Sequence, residues 1–189
     1  SQDNVSLSSA LCCKAIKLHT SNACGEIIIW THATDSVEKE SFMADKWITY
    51  EYNGWKVELS LTLLSEMRTD REKALPNETG GVLIGAYDIA RKRIYVVCQV
   101  RAPEDSISSP TSFIRGCANL PERLKYIHET TLDNLTYIGE WHSHPSANTQ
   151  RSTDDIKLHK AIVDYNRENC PPGCMMILGT DNFSIFIDE

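Results

Sequence analysis

The chain has no apolar run approaching the ~20 consecutive residues that a membrane-spanning helix needs, so no segment is expected to cross a membrane in that form. It also lacks an excess of positive charge: 19 Lys and Arg stand against 26 Asp and Glu, for a formal net charge of -7. Phosphate backbones repel such a surface unless a local basic patch overrides the whole, and nucleic acid is excluded as the expected partner. An even cysteine framework is missing as well. The seven cysteines (Cys12, Cys13, Cys24, Cys98, Cys117, Cys170 and Cys174) are irregularly spread, unlike the bridged scaffold of a small secreted domain, and a reducing, cytoplasmic setting is expected. The polar opening Ser1 to Ser9 has neither a basic n-region nor an apolar h-region, so no secretory signal is expected, and the start without a methionine reads as a processed end. There are no repeats and no low-complexity tracts.

What is present suffices for one hydrophobic core and an appendage, because 189 residues would hold a second full domain only tightly. Residues 1 to 54 carry scattered signals: a strand-like run Glu26 to Trp30, a polar stretch Thr31 to Glu40, and an apolar segment Trp47 to Tyr52 closed by the turn pair Asn53-Gly54. A boundary is expected there, separating an N-terminal extension, 1–54, from a domain over 55–189. From Trp55 the pattern is regular. A strand Trp55 to Leu59 leads to Ser60, which can cap an amphipathic helix carrying Leu61, Leu64 and Met67 and ending before Pro76. Gly81 to Tyr87 and Arg93 to Val100 read as a hairpin, and Ala102 to Ser112 as a loop. Further on come a helix near Asn119 to Glu129, a strand Thr136 to His142, a helix Thr153 to Arg167, and paired strands Met175 to Leu178 and Phe183 to Ile187. The fold class is mixed α/β, with a mainly antiparallel sheet flanked by helices.

Chemistry concentrates in Trp141-His142-Ser143-His144-Pro145. At a strand end, residues two apart point to one face, so both imidazoles can converge on one point. Eleven residues after His144 stands Asp155, in the first turn of a helix, within reach of the strand end. Two His and one carboxylate leave the fourth tetrahedral position open, the mark of a catalytic rather than a structural zinc site. The same stretch, Ser152-Thr153-Asp154-Asp155, is equally a capped helix start with an acid three residues after the cap, and a lone His-x-His is common by chance. Upstream, Glu78 precedes the pair Gly80-Gly81, where backbone or ligand can approach closely.

Together, Glu78 and His142-Ser143-His144-Pro145, followed by six residues, Ser152, two residues and Asp155, resemble the JAMM (JAB, MPN+) metalloprotease family, whose pattern is a distant Glu and H-x-H-P-x6-S-x-x-D. The wording of Glu78 to Gly85, Ser112 to Gly116 and Tyr137 to Trp141 is most similar to the bacterial branch that accompanies ubiquitin-like conjugation, including antiviral defence operons, where the domain can be fused to activating or conjugating enzyme domains. The resemblance covers about 55–189. It implies the MPN fold, one Zn²⁺ held by His142, His144 and Asp155, Glu78 as general base and Ser152 as donor to the oxyanion. The implied activity is cleavage after the glycine tail of a ubiquitin-like protein or its conjugates. Trimming of a sulfur-carrier protein, or a silent MPN binding module, are the alternatives.

A strand edge is expected near Ser112 to Gly116, where an extended tail can add as a further strand, and Arg115 is the candidate for guiding that tail, beside a surface ion pair as the simpler reading. Glu140 shares the strand parity of His142 and reads as a supporting carboxylate or core-edge ion pair, with a rival base as the alternative. His159 lies one helical turn after Asp155, but a fourth protein ligand would close the site. His19, His32 and His128 have no partner at ligand spacing. Cys170 and Cys174 are separated by three residues, so they fit neither a Cys-x-x-Cys pair nor the zinc-deaminase signature and read as free thiols. The short link Asn166 to Gly173 leaves little room for an insertion that would grip a second ubiquitin.

Overall fold

The computed structural model describes residues 46–167 and 171–189. In chain order the elements are β1 (Trp47–Tyr52), β2 (Trp55–Ser60), α1 (Leu61–Ala74), β3 (Gly80–Asp88), β4 (Arg93–Arg101), β5 (Ile107–Ser109), β6 (Ser112–Ile114), α2 (Leu120–Thr130), β7 (Thr136–Ser143), α3 (Thr153–Arg167), β8 (Gly173–Leu178) and β9 (Phe183–Asp188). Seven strands form one sheet in the order β1-β2-β4-β3-β7-β8-β9, and β5 with β6 makes a separate ribbon. Four of the neighbouring pairs are antiparallel, while β2 with β4 and β7 with β8 are parallel. The class is therefore the mixed, mainly antiparallel α/β fold expected from the sequence.

Alternation along the strands builds two apolar layers. Val57, Leu59, Leu83, Trp141, Met176 and Leu178 join Leu63, Leu64 and Met67 of α1 in the larger core. Val82, Ile84 and Val100 meet Leu120 of α2 on the other face. Every residue of β8 is buried, the even-numbered ones in the α1 core and the odd ones on the opposite face, and α3 packs along this strand. Ser60 caps α1 as expected, its hydroxyl accepting the Leu63 N–H at 3.2 Å. The buried stripe of that helix is Leu63, Leu64, Met67 and Arg71, whereas Leu61, expected on it, is exposed at the first helical position.

The turn Asn53-Gly54 has φ of 51° and 79°, the left-handed pair that closes a two-residue hairpin. It lies inside the sheet. Trp47 to Tyr52 pair in unbroken register with Trp55 to Ser60, and Asn53 and Trp55 donate side-chain hydrogen bonds to Ile187 O and Glu189. A run of six residues cannot reveal from its own pattern whether it pairs forward or belongs to what precedes it, and β1 is part of the domain's sheet. The run Glu26 to Trp30, the stretch Thr31 to Glu40, His19, His32 and Cys170 lie outside the described residues.

The region read as a loop, Ala102 to Ser112, holds β5 and leads into β6, paired through Ile107 with Ile114, Ser108 with Phe113 and Ser109 with Ser112. Strands of three residues are too short to show alternation. The Asp105 carboxylate accepts the N–H groups of Cys117 and Ala118 at 2.9 Å, and the Ser106 hydroxyl accepts the Gly116 N–H, so both feet of the ribbon are tied together.

Candidate metal centre and active site

β7 is a central strand held by β3 on one side and β8 on the other, and His142 lies opposite Gly80 on β3. The pairing continues past the strand end, because the Ser143 N–H donates to Thr79 O at 2.7 Å and the Thr79 N–H donates to the Ser143 hydroxyl at 3.0 Å. This extension brings the chain at Glu78 toward the cluster, whose charges act on its carboxyl. Gly80 and Gly81 are required for a reason internal to the fold: a Cβ at Gly80 would lie 2.3 Å from Trp141 O and 2.6 Å from the Phe113 ring, and one at Gly81 2.4 Å from Val100 O. The close approach expected there is therefore made by the chain itself.

His142 Nε2 and His144 Nε2 are 3.2 Å apart. Asp155 Oδ1 is 3.1 Å from His142 Nε2, and Asp155 Oδ2 is 3.8 Å from His144 Nε2. The three side chains present ligand atoms all within 4.8 Å of one another, and they form the one such group found among the described residues. The His144 Nδ1–H donates to Asn148 O at 2.6 Å, which leaves Nε2 as a lone pair facing the other two groups. Two imidazole nitrogens and a carboxylate crowded at this range hold more lone pairs than protons. A divalent cation is what such a donor set fits.

Asp155 is delivered by a helix cap. The Ser152 N–H donates to Asp155 Oδ2 at 2.6 Å and the Asp155 N–H donates to the Ser152 hydroxyl at 3.2 Å, a reciprocal capping box at the start of α3. The capping reading of Ser152 and the ligand reading of Asp155 are thus compatible, because one carboxylate oxygen reaches the cap while the other faces His142. Burial works to raise the Asp155 pKa, but the hydrogen bond and charge of His142, with the two contacts to Ser152, hold the carboxyl below the usual range.

Glu78 is 8% exposed, and its N–H donates to Ser109 O of β5 at 2.8 Å. Burial raises its pKa, nearby His142 and His144 pull it back, and Asp155 pushes it up again. The carboxyl therefore feels all three members of the cluster. A buried acid beside a metal-type donor set is placed to exchange a proton with a group held there.

The remaining candidates fall elsewhere. Arg115 turns inward rather than toward a tail: Nη2 is 2.8 Å from Glu140 Oε1, Nη1 donates to Gly116 O, and the two charged side chains are only 9% and 7% exposed. It is a buried ion pair rather than a surface one, formed between the residue just after β6 and the face of β7 that carries Glu140. Glu140 is accordingly the ion pair expected of it and not a free base. His159 is buried and bonded to Gly173 O at 3.1 Å, with Arg151 2.8 Å from Nδ1, so it stands outside the cluster. His128 pairs with Asp133 at 3.2 Å. Cys174 is a free, fully buried thiol whose pKa burial pushes up to about 12.

The roles of four residues were not read from the sequence: Thr79 with Ser143, which extend the β3–β7 pairing, Asn148, which orients His144, and Arg71. The last had a visible signal, since it falls four residues after Met67 on the buried stripe of α1 where an apolar side chain belongs.

The family described as prokaryotic homologs of the JAB domain matches residues 60–187, and the chain belongs to it. A CD-NTase/cGAS isopeptidase of Enterobacter hormaechei subsp. hoffmannii (strain UCI 50) is 32% identical over 148 residues, which cover 77% of this chain and 81% of that protein. Among solved structures, a solution structure of a protein from Desulfitobacterium hafniense is similar at 20% identity and a TM-score of 0.46, covering 69% of this chain and 88% of that one. A JAB1/MPN domain protein from Archaeoglobus fulgidus is similar at 17% identity and a TM-score of 0.39, covering 66% and 83%. No helix among the described residues is long and apolar enough to cross a membrane.

Proposed function

We propose that this chain is a zinc-dependent isopeptidase that cuts after the glycine-ended tail of a ubiquitin-like protein, releasing it from conjugates or maturing its precursor in a bacterial conjugation pathway. The observation that carries this reading is the convergence of His142, His144 and Asp155 within 4.8 Å, with the buried carboxyl of Glu78 in their field. The relative named as an isopeptidase supports the reaction class.

His142 Nε2, His144 Nε2 and one oxygen of Asp155 would hold the metal. Zinc, when bound, supplies a Lewis acid and acidifies a water molecule. Glu78 takes a proton from the attacking water and returns it to the leaving amine. The Ser152 hydroxyl accepts from the Asp155 N–H and keeps its own proton to donate to the developing oxyanion. The β5–β6 ribbon, tied to Glu78 through Ser109 O, offers a strand edge along which an extended tail can lie. The domain in this reading includes β1.

The test measures zinc content and cleavage of a fusion between a glycine-terminated ubiquitin-like protein and a reporter. Wild type is expected to hold one zinc per chain, His142→Ala none, and Glu78→Gln one, with turnover down about 10²- to 10⁴-fold. Equal zinc in wild type and His142→Ala would remove the metal assignment. Near-normal cleavage by Glu78→Gln would remove Glu78 as the base, and equal cleavage of a fusion whose terminal glycine is changed to valine would replace the glycine-tail substrate with a broader one.

A further inference from the structure

The two histidines of the cluster are held in very different ways. His142 lies within β7, where the ladders to β3 and β8 fix its backbone from both sides. His144 lies beyond the strand, which ends at Ser143, so the sheet holds it only through its N–H and the end of β8. Its N–H donates to Leu178 O at 2.9 Å and its Nδ1–H to Asn148 O. Its carbonyl oxygen accepts from Arg71 Nε at 3.0 Å, while Arg71 Nη2 donates to Pro145 O at 2.7 Å and to the Thr180 hydroxyl at 3.0 Å. With Arg71 in place, Nε2 is the one polar atom of His144 not engaged by this scaffold.

Arg71 is 4% exposed and makes no ion pair among the described residues. A buried cation without an acid is costly, and an apolar residue at this point of the α1 stripe would fill the core more cheaply. What the guanidinium provides instead is a planar fork against two successive carbonyls, which dictates how the chain turns at His144-Pro145. We infer that Arg71 is a positioning residue that presets the direction of His144 for metal capture, acting through the main chain without touching the metal. The inference rests on the metal reading proposed above.

The experiment titrates metal-free protein with Co²⁺, following its visible absorption, and measures Zn²⁺ affinity by chelator competition. Arg71→Met should bind both ions about 10- to 100-fold more weakly, the range seen when groups that orient ligands are removed, and should shift the Co²⁺ spectrum. Arg71→Lys, which keeps the charge but not the fork, should fall between Arg71→Met and wild type. Met67→Ala, one turn earlier on the same buried stripe, serves as the control: it should lower the melting temperature at least as much and leave metal affinity within about twofold. Should Arg71→Met fail to fold, Thr180→Val at an exposed position removes one acceptor, and about fivefold weaker Zn²⁺ binding is expected. Unchanged affinity in the folded Arg71 variants, or in Thr180→Val where Arg71→Met does not fold, overturns the inference, as does an equal loss in Met67→Ala. If wild type binds neither ion, the metal reading itself falls and carries this inference with it.

Discussion

Two buried polar groups sit side by side on one face of β7, and they are built on opposite plans. At Glu140 the carboxylate meets Arg115 at 2.8 Å, so negative and positive charges cancel within the protein. Burial works against the Arg115 charge, but the contact with Glu140 more than restores it. Two residues further along, His142 joins His144 and Asp155, and among the described residues no Lys or Arg side chain pairs with them. The first group is closed in charge, its two charges being answered inside the fold, although Arg115 Nε is buried without a hydrogen-bond partner. The second collects lone pairs at one point, where a metal ion could be held. Burial alone therefore does not mark a site; what matters is whether the buried charges are answered inside the fold.

The largest effect should come from opening the closed group. Arg115→Ala leaves Glu140 buried and unpaired and should cost about 3–5 kcal/mol in urea denaturation, whereas replacing both partners by Met and Leu should cost far less. A small loss in the single variant would mean that Glu140 reaches water, and the contrast between the groups would blur.

A smaller effect sharpens the open group. Ser152→Ala removes the cap of α3 and should lower stability by roughly 1 kcal/mol, while Ser152→Asn keeps a cap and should leave stability nearly intact. Turnover separates the two roles: if the Asn variant is stable but inactive, the hydroxyl takes part in the chemistry, and if it is fully active, Ser152 serves the helix alone.

The smallest effect concerns a third buried group, closed only while neutral. Burial lowers the pKa of His159 from its ordinary 6.5, with the hydrogen bond to Gly173 O and Asp188 pulling the other way and Arg151 adding to the depression. The unfolded chain therefore binds the proton more readily than the native one. His159's contribution is fully present above about pH 6.5 and is lost as pH falls through the interval down to the depressed native value. His159→Gln should flatten the fall of the melting temperature as the pH drops below about 6.5. An unchanged slope would show that another group controls acid stability.

Much of the fold was readable from local pattern. α3 runs from Thr153 to Arg167 as expected, because Ser152 and Asp155 announce its start and an apolar stripe carries it onward. The β3–β4 hairpin and the β8–β9 pair follow from apolar runs separated by turn residues. Of the β5–β6 ribbon, the strand near Ser112 to Gly116 was expected, but β5 and its pairing were not readable, being held by Asp105 and Ser106 through contacts that no period in the sequence records.

By itself the sequence determined which chemistry the chain can offer: two imidazoles at strand spacing, a carboxylate at a helix start, and a second carboxylate before a glycine pair. These are matters of residue type and local geometry, and local geometry has a period. Only the tertiary structure decided that Glu78 meets the cluster, since that depends on β3 lying next to β7 and on Ser143 extending their pairing to Thr79. It also decided that Arg115 is spent on Glu140 and that Arg71 reaches the carbonyl of His144. The physical reason is the same in each case. A buried charge finds its partner by whichever element packs against it, and such partners lie 25 residues apart for Arg115 and Glu140 and 73 for Arg71 and His144, far beyond any repeat a strand or helix can express.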